Sequence, residues 1–172
     1  MPNKQTARKD TKHRVHQSDG FAVWFGKLVP PPGRPNRVPS LFKVVGEKLP
    51  VASLKEVQAD IVEQQLPTTG VYVAHDSMGA PRYSGRGDIF GRLKSHFTKH
   101  RRELAYFSFY VVEDKKHERE IETLVIRAAG SLLHFNNKKK RVDIAPGNIR
   151  DFEAGTHFYE RQMKKGKKKK KK

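Results

Sequence analysis

From Gly70 to Phe135 the apolar residues follow one order of spacings that few folds can accommodate: strand, strand, helix, strand, helix. Gly70 to His75 suits a strand, Asp76-Ser77-Met78-Gly79 has turn chemistry, and Pro81 to Ser84 returns as the second arm of a hairpin. Asp88 is placed to cap a helix through about Lys99, with Ile89, Phe90, Leu93 and Phe97 as its apolar stripe. Leu104 to Val112 is rich in aromatic and β-branched residues and reads as a buried strand. A long helix is expected from about Lys116 to Phe135, its core face marked by Ile121, Leu124, Val125, Ala128, Leu132 and Leu133. The expected fold is α/β, an α+β sandwich in which a small three-stranded mixed or antiparallel sheet is flanked by helices.

The flanks read differently. Residues 1–20 are polar and basic and read as a flexible arm. Residues 21–67 form an amino-terminal extension: an apolar island from Phe21 to Val29, a proline-rich stretch that cannot continue a helix, and a short helix. Ser53 and Glu56 suit a capping box opening that helix through about Gln65, with Leu54, Val57, Ile61 and Val62 on one face. After the central segment at 68–137 comes a carboxy-terminal extension at 138–163, where Ile149 to Met163 suits another helix. A lysine tail at 164–172 lacks the means to order itself.

The formal charge of +18 directs attention to polyanions. Lys164, Lys165 and the run Lys167 to Lys172 contribute eight of those charges, so about +10 belongs to the body of the chain. The absence of cysteine excludes disulfide partners and thiolate metal sites. No apolar run reaches the roughly 20 residues that span a bilayer. A cytoplasmic protein that binds nucleic acid and no membrane is expected.

Within the central segment, Gly70-Val71-Tyr72 and Tyr83-Ser84-Gly85 lie on the two hairpin arms. Arg92 and His96 stand four apart on the following helix, Glu122 lies on the second helix, and Asn136 stands near its end, with Asn137 a rival. This set resembles the GIY-YIG nuclease superfamily over residues 68–137, with Val71 for the usual isoleucine and Ser84 for an apolar residue. The resemblance implies an endonuclease that hydrolyses nucleic-acid phosphodiester bonds, DNA first, one strand at a time. Tyr72 and Tyr83 would face each other and help position or deprotonate the attacking water. Arg92 would hold the scissile phosphate, and Glu122 would be the sole carboxylate ligand of a single Mg²⁺ or Mn²⁺ ion. His96 matches a histidine found in some members, and Gly70, Gly85 and Asn136 would be structural. A phenol near pKa 10 is a poor base at pH 7 unless cations lower it, and Arg86, Arg92 and the ion are the expected cations.

Nucleic-acid affinity would come from Arg86, Lys94, Lys99, Arg101 and Arg102, and from the cluster Lys138, Lys139, Lys140 and Arg141. Nothing in the sequence supplies a base-reading element, so backbone contacts are expected to dominate. Two other readings fit the charge: a non-catalytic nucleic-acid-binding protein on the same fold, and a basic RNA- or ribosome-associated protein.

Overall fold

Asp76 organises the turn at the heart of the fold: its carboxylate accepts from the Met78 and Ala80 amides, both at 2.9 Å, and from Arg82 Nε at 2.8 Å. These bonds hold the carboxyl below the usual carboxylate range, against the opposing effect of its burial. The turn joins β4 (Thr69–His75) to β5 (Pro81–Asp88). Asp88 then caps α2 (Ile89–Lys99), accepting from the Gly91 amide at 3.3 Å, and the stripe Ile89, Phe90, Leu93 and Phe97 is buried. β6 (Tyr106–Val112) follows and pairs antiparallel with β4 on the side away from β5. This computed structural model describes residues 12–28, 41–133 and 154–163.

β6, β4 and β5 lie in the expected order, but they do not form a sheet of their own. The sheet has seven strands, in the order β1-β2-β7-β3-β6-β4-β5, so a small three-stranded sheet is incorrect. The additional strands are β1 (His13–Gln17), β2 (Phe21–Lys27), β3 (Phe42–Pro50) and β7 (His157–Met163). All neighbours are antiparallel except β3 and β7, which run parallel.

Residues 13–17, read as part of an arm, form one of the two edge strands, β5 being the other. The apolar island is an interior strand, and residues 157–163, read as helix, pair on both sides. Backbone pairing on two flanks overrides the weak local preference of HFYERQM.

Strand alternation gives the sheet two different faces. On one, Val23, Val44, Leu49, Tyr72, Phe107 and Phe109 form a continuous core with α2 and with α1 (Leu54–Glu63). α1 lacks its expected capping box: Ser53 Oγ donates instead to the Pro50 carbonyl at 2.8 Å, and Val62 is exposed.

On the other face stand the alternate residues Val71, Val73, Ser84 and Arg86, with α3 (Glu118–Ala129) over β4 and β5. α3 is shorter than expected, bounded by 3-10 turns at Lys115–His117 and Gly130–Leu132. It is also rotated from the expected face. Leu124 and Leu132 are exposed, whereas Glu118 and Ile126 are buried and Glu122 lies between them in the same four-residue row. Among the described residues no helix is long and apolar enough to cross a membrane.

Candidate functional site

The hairpin register brings the two tyrosines to one face. Tyr72 stands opposite Gly85, Ala74 opposite Tyr83 and Gly70 opposite Gly87. Gly85 is required here by space: a Cβ would lie 2.5 Å from the Tyr72 hydroxyl oxygen and 2.8 Å from Cζ. Gly70 lies against the backbone of β6, where a Cβ would meet the Tyr110 carbonyl oxygen at 2.3 Å. The tyrosine rings are 6.0 Å apart between centroids at 26°. α2 lowers His96 onto them, 3.8 Å from Tyr83 and 6.4 Å from Tyr72. Arg92, one turn earlier, reaches back over Gly87, since a Cβ there would lie 3.5 Å from its Nε.

Burial decides the ionisation of this group. Tyr72 is wholly buried and its hydroxyl has no hydrogen-bond partner among the described residues; Tyr83 and Arg92 lie beside it without completing one of ordinary geometry. Burial first, then Tyr83, push its pKa up further than Arg92 pulls it down. Arg92 alone does not turn this phenol into a base, and without a further cation Tyr72 stays protonated at pH 7. His96 moves the other way: burial, then His100, Lys99 and Arg92, lower its pKa below the ordinary 6.5. At pH 7 it is a neutral imidazole, able to accept a proton.

Glu122 is not part of this group. Successive residues of β5 point to opposite faces, so Arg86 lies on the far side from the tyrosines, and Arg86 Nε donates to Glu122 Oε2 at 3.2 Å. The carboxylate is mostly buried, with 18% of the side chain exposed, and it is neutralised by that guanidinium. Its sequence rivals are placed differently: Glu118 is buried, and Glu120 pairs with His117 at 3.0 Å. Among the described residues no three His, Asp or Glu side chains converge at metal-ligand spacing. The arrangement thus brings together Tyr72, Tyr83, Arg92 and His96. It leaves Glu122 across the sheet in a form that does not fit Mg²⁺ or Mn²⁺.

Of the expected phosphate-binding cations, Arg86, Lys94, Lys99, Arg101 and Arg102 are exposed. Lys99 follows Arg92 and His96 at helical spacing on α2. Asn136, Asn137, Lys138, Lys139, Lys140 and Arg141 lie outside the described residues.

A second group of polar side chains escaped the sequence reading. A cleft of about 500 Å³ between β1 and α1 is lined by His13, Arg14, Glu56, Asp60 and Glu63 among others. There His13 contacts Asp60, which accepts from the Tyr159 hydroxyl at 3.0 Å. Reading residues 1–20 as an arm hid it; the charged row Glu56, Asp60 and Glu63 on α1 was the available signal. Compared with known proteins, the chain matches no family model, no curated protein and no solved structure.

Proposed function

We propose that the protein is an endonuclease of the GIY-YIG kind, cutting DNA one strand at a time. The observation that carries the reading is the contact of His96 with Tyr83, with Arg92 one turn away on an exposed basic helix face. In this reading neutral His96 takes a proton from a water molecule as its oxygen bonds to phosphorus. The guanidinium of Arg92 holds the non-bridging oxygens as their negative charge grows. Tyr72, wholly buried, backs the Tyr83 ring and holds it in place. The leaving sugar oxygen departs with a proton from solvent. Exposed Lys94, Lys99, Arg101 and Arg102 neutralise neighbouring phosphates, and the reading places the protein in the cytoplasm, where nucleic acid is at hand.

The test is nicking of supercoiled plasmid by the wild type, His96→Ala and Arg92→Ala, each with Mg²⁺ and with EDTA. Nicking by the wild type that either substitution reduces at least about 100-fold, the lower end for an acid–base group, is expected. A second reading has one observation in its favour: the Arg86–Glu122 pair cancels the carboxylate that the resemblance implies as a metal ligand. A non-catalytic nucleic-acid-binding protein would bind tightly and leave plasmid, branched DNA and RNA uncut.

A further inference from the structure

The stack that holds His96 leaves its nitrogens free. Tyr72 backs Tyr83, and Tyr83 lies against the imidazole at 3.8 Å between centroids. Stacking occupies the face of a ring, whereas both imidazole nitrogens lie at its edge. Neither nitrogen of His96 has a hydrogen-bond partner among the described residues, and neither is fully buried. Arg92 stands one turn before His96 and Lys99 nearly one turn after, both exposed. One open row of α2 therefore carries a guanidinium, an imidazole and an ammonium in that order. Burial and the positive neighbours His100, Lys99 and Arg92 keep the imidazole neutral at a lower pH than usual.

Hydrolysis of DNA asks the site to hold a water molecule in line with the leaving oxygen. RNA carries its own nucleophile, the 2′ hydroxyl, beside the scissile phosphate. A well-oriented intramolecular attack has an effective molarity of about 10⁵–10⁸ M, and it needs from the protein a proton acceptor and a cation for the phosphate. A single strand can turn its backbone into the in-line geometry, which an A-form duplex holds it away from.

We infer that the row Arg92, His96 and Lys99 cleaves single-stranded RNA by attack of a ribose 2′ oxygen on the adjacent phosphate. This deepens the nuclease reading and rests on it for His96 as the base and Arg92 as the phosphate-holding residue. His96 takes the proton of the 2′ hydroxyl as that oxygen bonds to phosphorus. Arg92 holds the non-bridging oxygens while their charge grows, and Lys99 neutralises a neighbouring phosphate. The bond from phosphorus to the 5′ oxygen breaks, and that oxygen takes a proton from a solvent water. His96 returns its own proton to the hydroxide left behind. The products are a 2′,3′-cyclic phosphate and a 5′ hydroxyl.

The experiment is cleavage of a short end-labelled single-stranded RNA in EDTA by the wild type, His96→Ala, His96→Gln, Arg92→Ala and Lys55→Gln. Product ends are identified by mass spectrometry, and circular dichroism checks that each variant is folded. A second RNA carries one 2′-deoxynucleotide on the 5′ side of the bond cut most strongly. Lys55 is exposed on α1, so Lys55→Gln removes a positive charge outside the row and controls for the preparation. The wild type should leave 2′,3′-cyclic phosphate ends, and the deoxynucleotide should abolish cutting at that bond alone. Either substitution of His96 should lower the rate by at least about 100-fold. Arg92→Ala should lower it by about 100-fold or more, and Lys55→Gln should keep the wild-type rate.

Undiminished cutting at the deoxynucleotide would overturn the inference, and so would 5′-phosphate ends. A wild-type rate in folded His96→Gln, or RNA left intact by every protein, would also overturn it. The plasmid assay, run on the same preparations, keeps the two readings apart. Plasmid nicked with RNA left intact refutes the inference and spares the DNA nuclease. RNA cut to cyclic ends with plasmid left intact supports the inference and removes DNA as the substrate.

Discussion

Replacing Tyr72 by phenylalanine should make the protein more stable and leave its nicking rate close to that of the wild type. The side chain is wholly buried, and its hydroxyl has no hydrogen-bond partner among the described residues. Leaving such a group unpaired costs about 1–3 kcal/mol, and deleting it removes that cost while forfeiting the contacts of a single atom. A net gain of about 1 kcal/mol follows. In a chain of 172 residues that raises the melting temperature by roughly 3 °C. Activity should hardly move. A hydroxyl with no accessible surface does not reach a phosphate oxygen, so the nicking rate should stay close to that of the wild type. Thermal unfolding followed by circular dichroism and the plasmid assay read the two effects on the same preparations. A melting temperature lowered by several degrees would show that the hydroxyl is paired in solution. A rate reduced about tenfold or more would show that substrate reaches the hydroxyl.

Other consequences follow from the same geometry. Gly85→Ala should destabilise the protein by about 1–3 kcal/mol in urea unfolding, because its Cβ would lie 2.5 Å from the buried Tyr72 hydroxyl; an unchanged midpoint would contradict that packing. His75, buried and bonded through Nε2 to Ser108 at 2.9 Å, has a pKa lowered to about 4, chiefly by burial. The unfolded chain therefore takes up its proton first, and stability falls as pH drops from about 6.5 to about 4, by a few kcal/mol. His75→Gln should flatten that slope in unfolding measured across the window. Nicking should gain its rising limb below pH 6.5, where His96 loses its proton, and a limb kept unchanged in His96→Gln would exclude His96 as the base. Neutralising Lys99, Arg101 and Arg102 together should lower the salt slope of DNA affinity by up to about 3, read by fluorescence anisotropy; an unchanged slope would place the DNA elsewhere.

The parts of this architecture that could be read from sequence are those whose partners are close in the chain. The hairpin is set by Asp76, which bonds amides two and four residues on, and α2 by Asp88, which bonds an amide three residues on. Tyr72, Tyr83, Arg92 and His96 come together because that hairpin and that helix are consecutive, so their spacings translate directly into proximity. β7 has no such local signal. Its two neighbours, β2 and β3, are more than a hundred residues earlier, and only their pairing makes a strand of a polar heptad. β3 carries an irregularity between Gly46 and Leu49, where Lys48 adopts φ +48° and its amide donates to Ser108, sixty residues away.

Glu122 illustrates the sharpest limit. Its residue type was legible, and the helix does turn it towards the sheet, in a row that the expected core face did not include. Which face of the sheet receives that helix is not encoded in the spacing of its own residues. The face depends on what already covers the other side: α1 and α2 occupy it with Leu54, Val57, Ile61, Leu93 and Phe97, and the carboxylate is left with Arg86 across the strand.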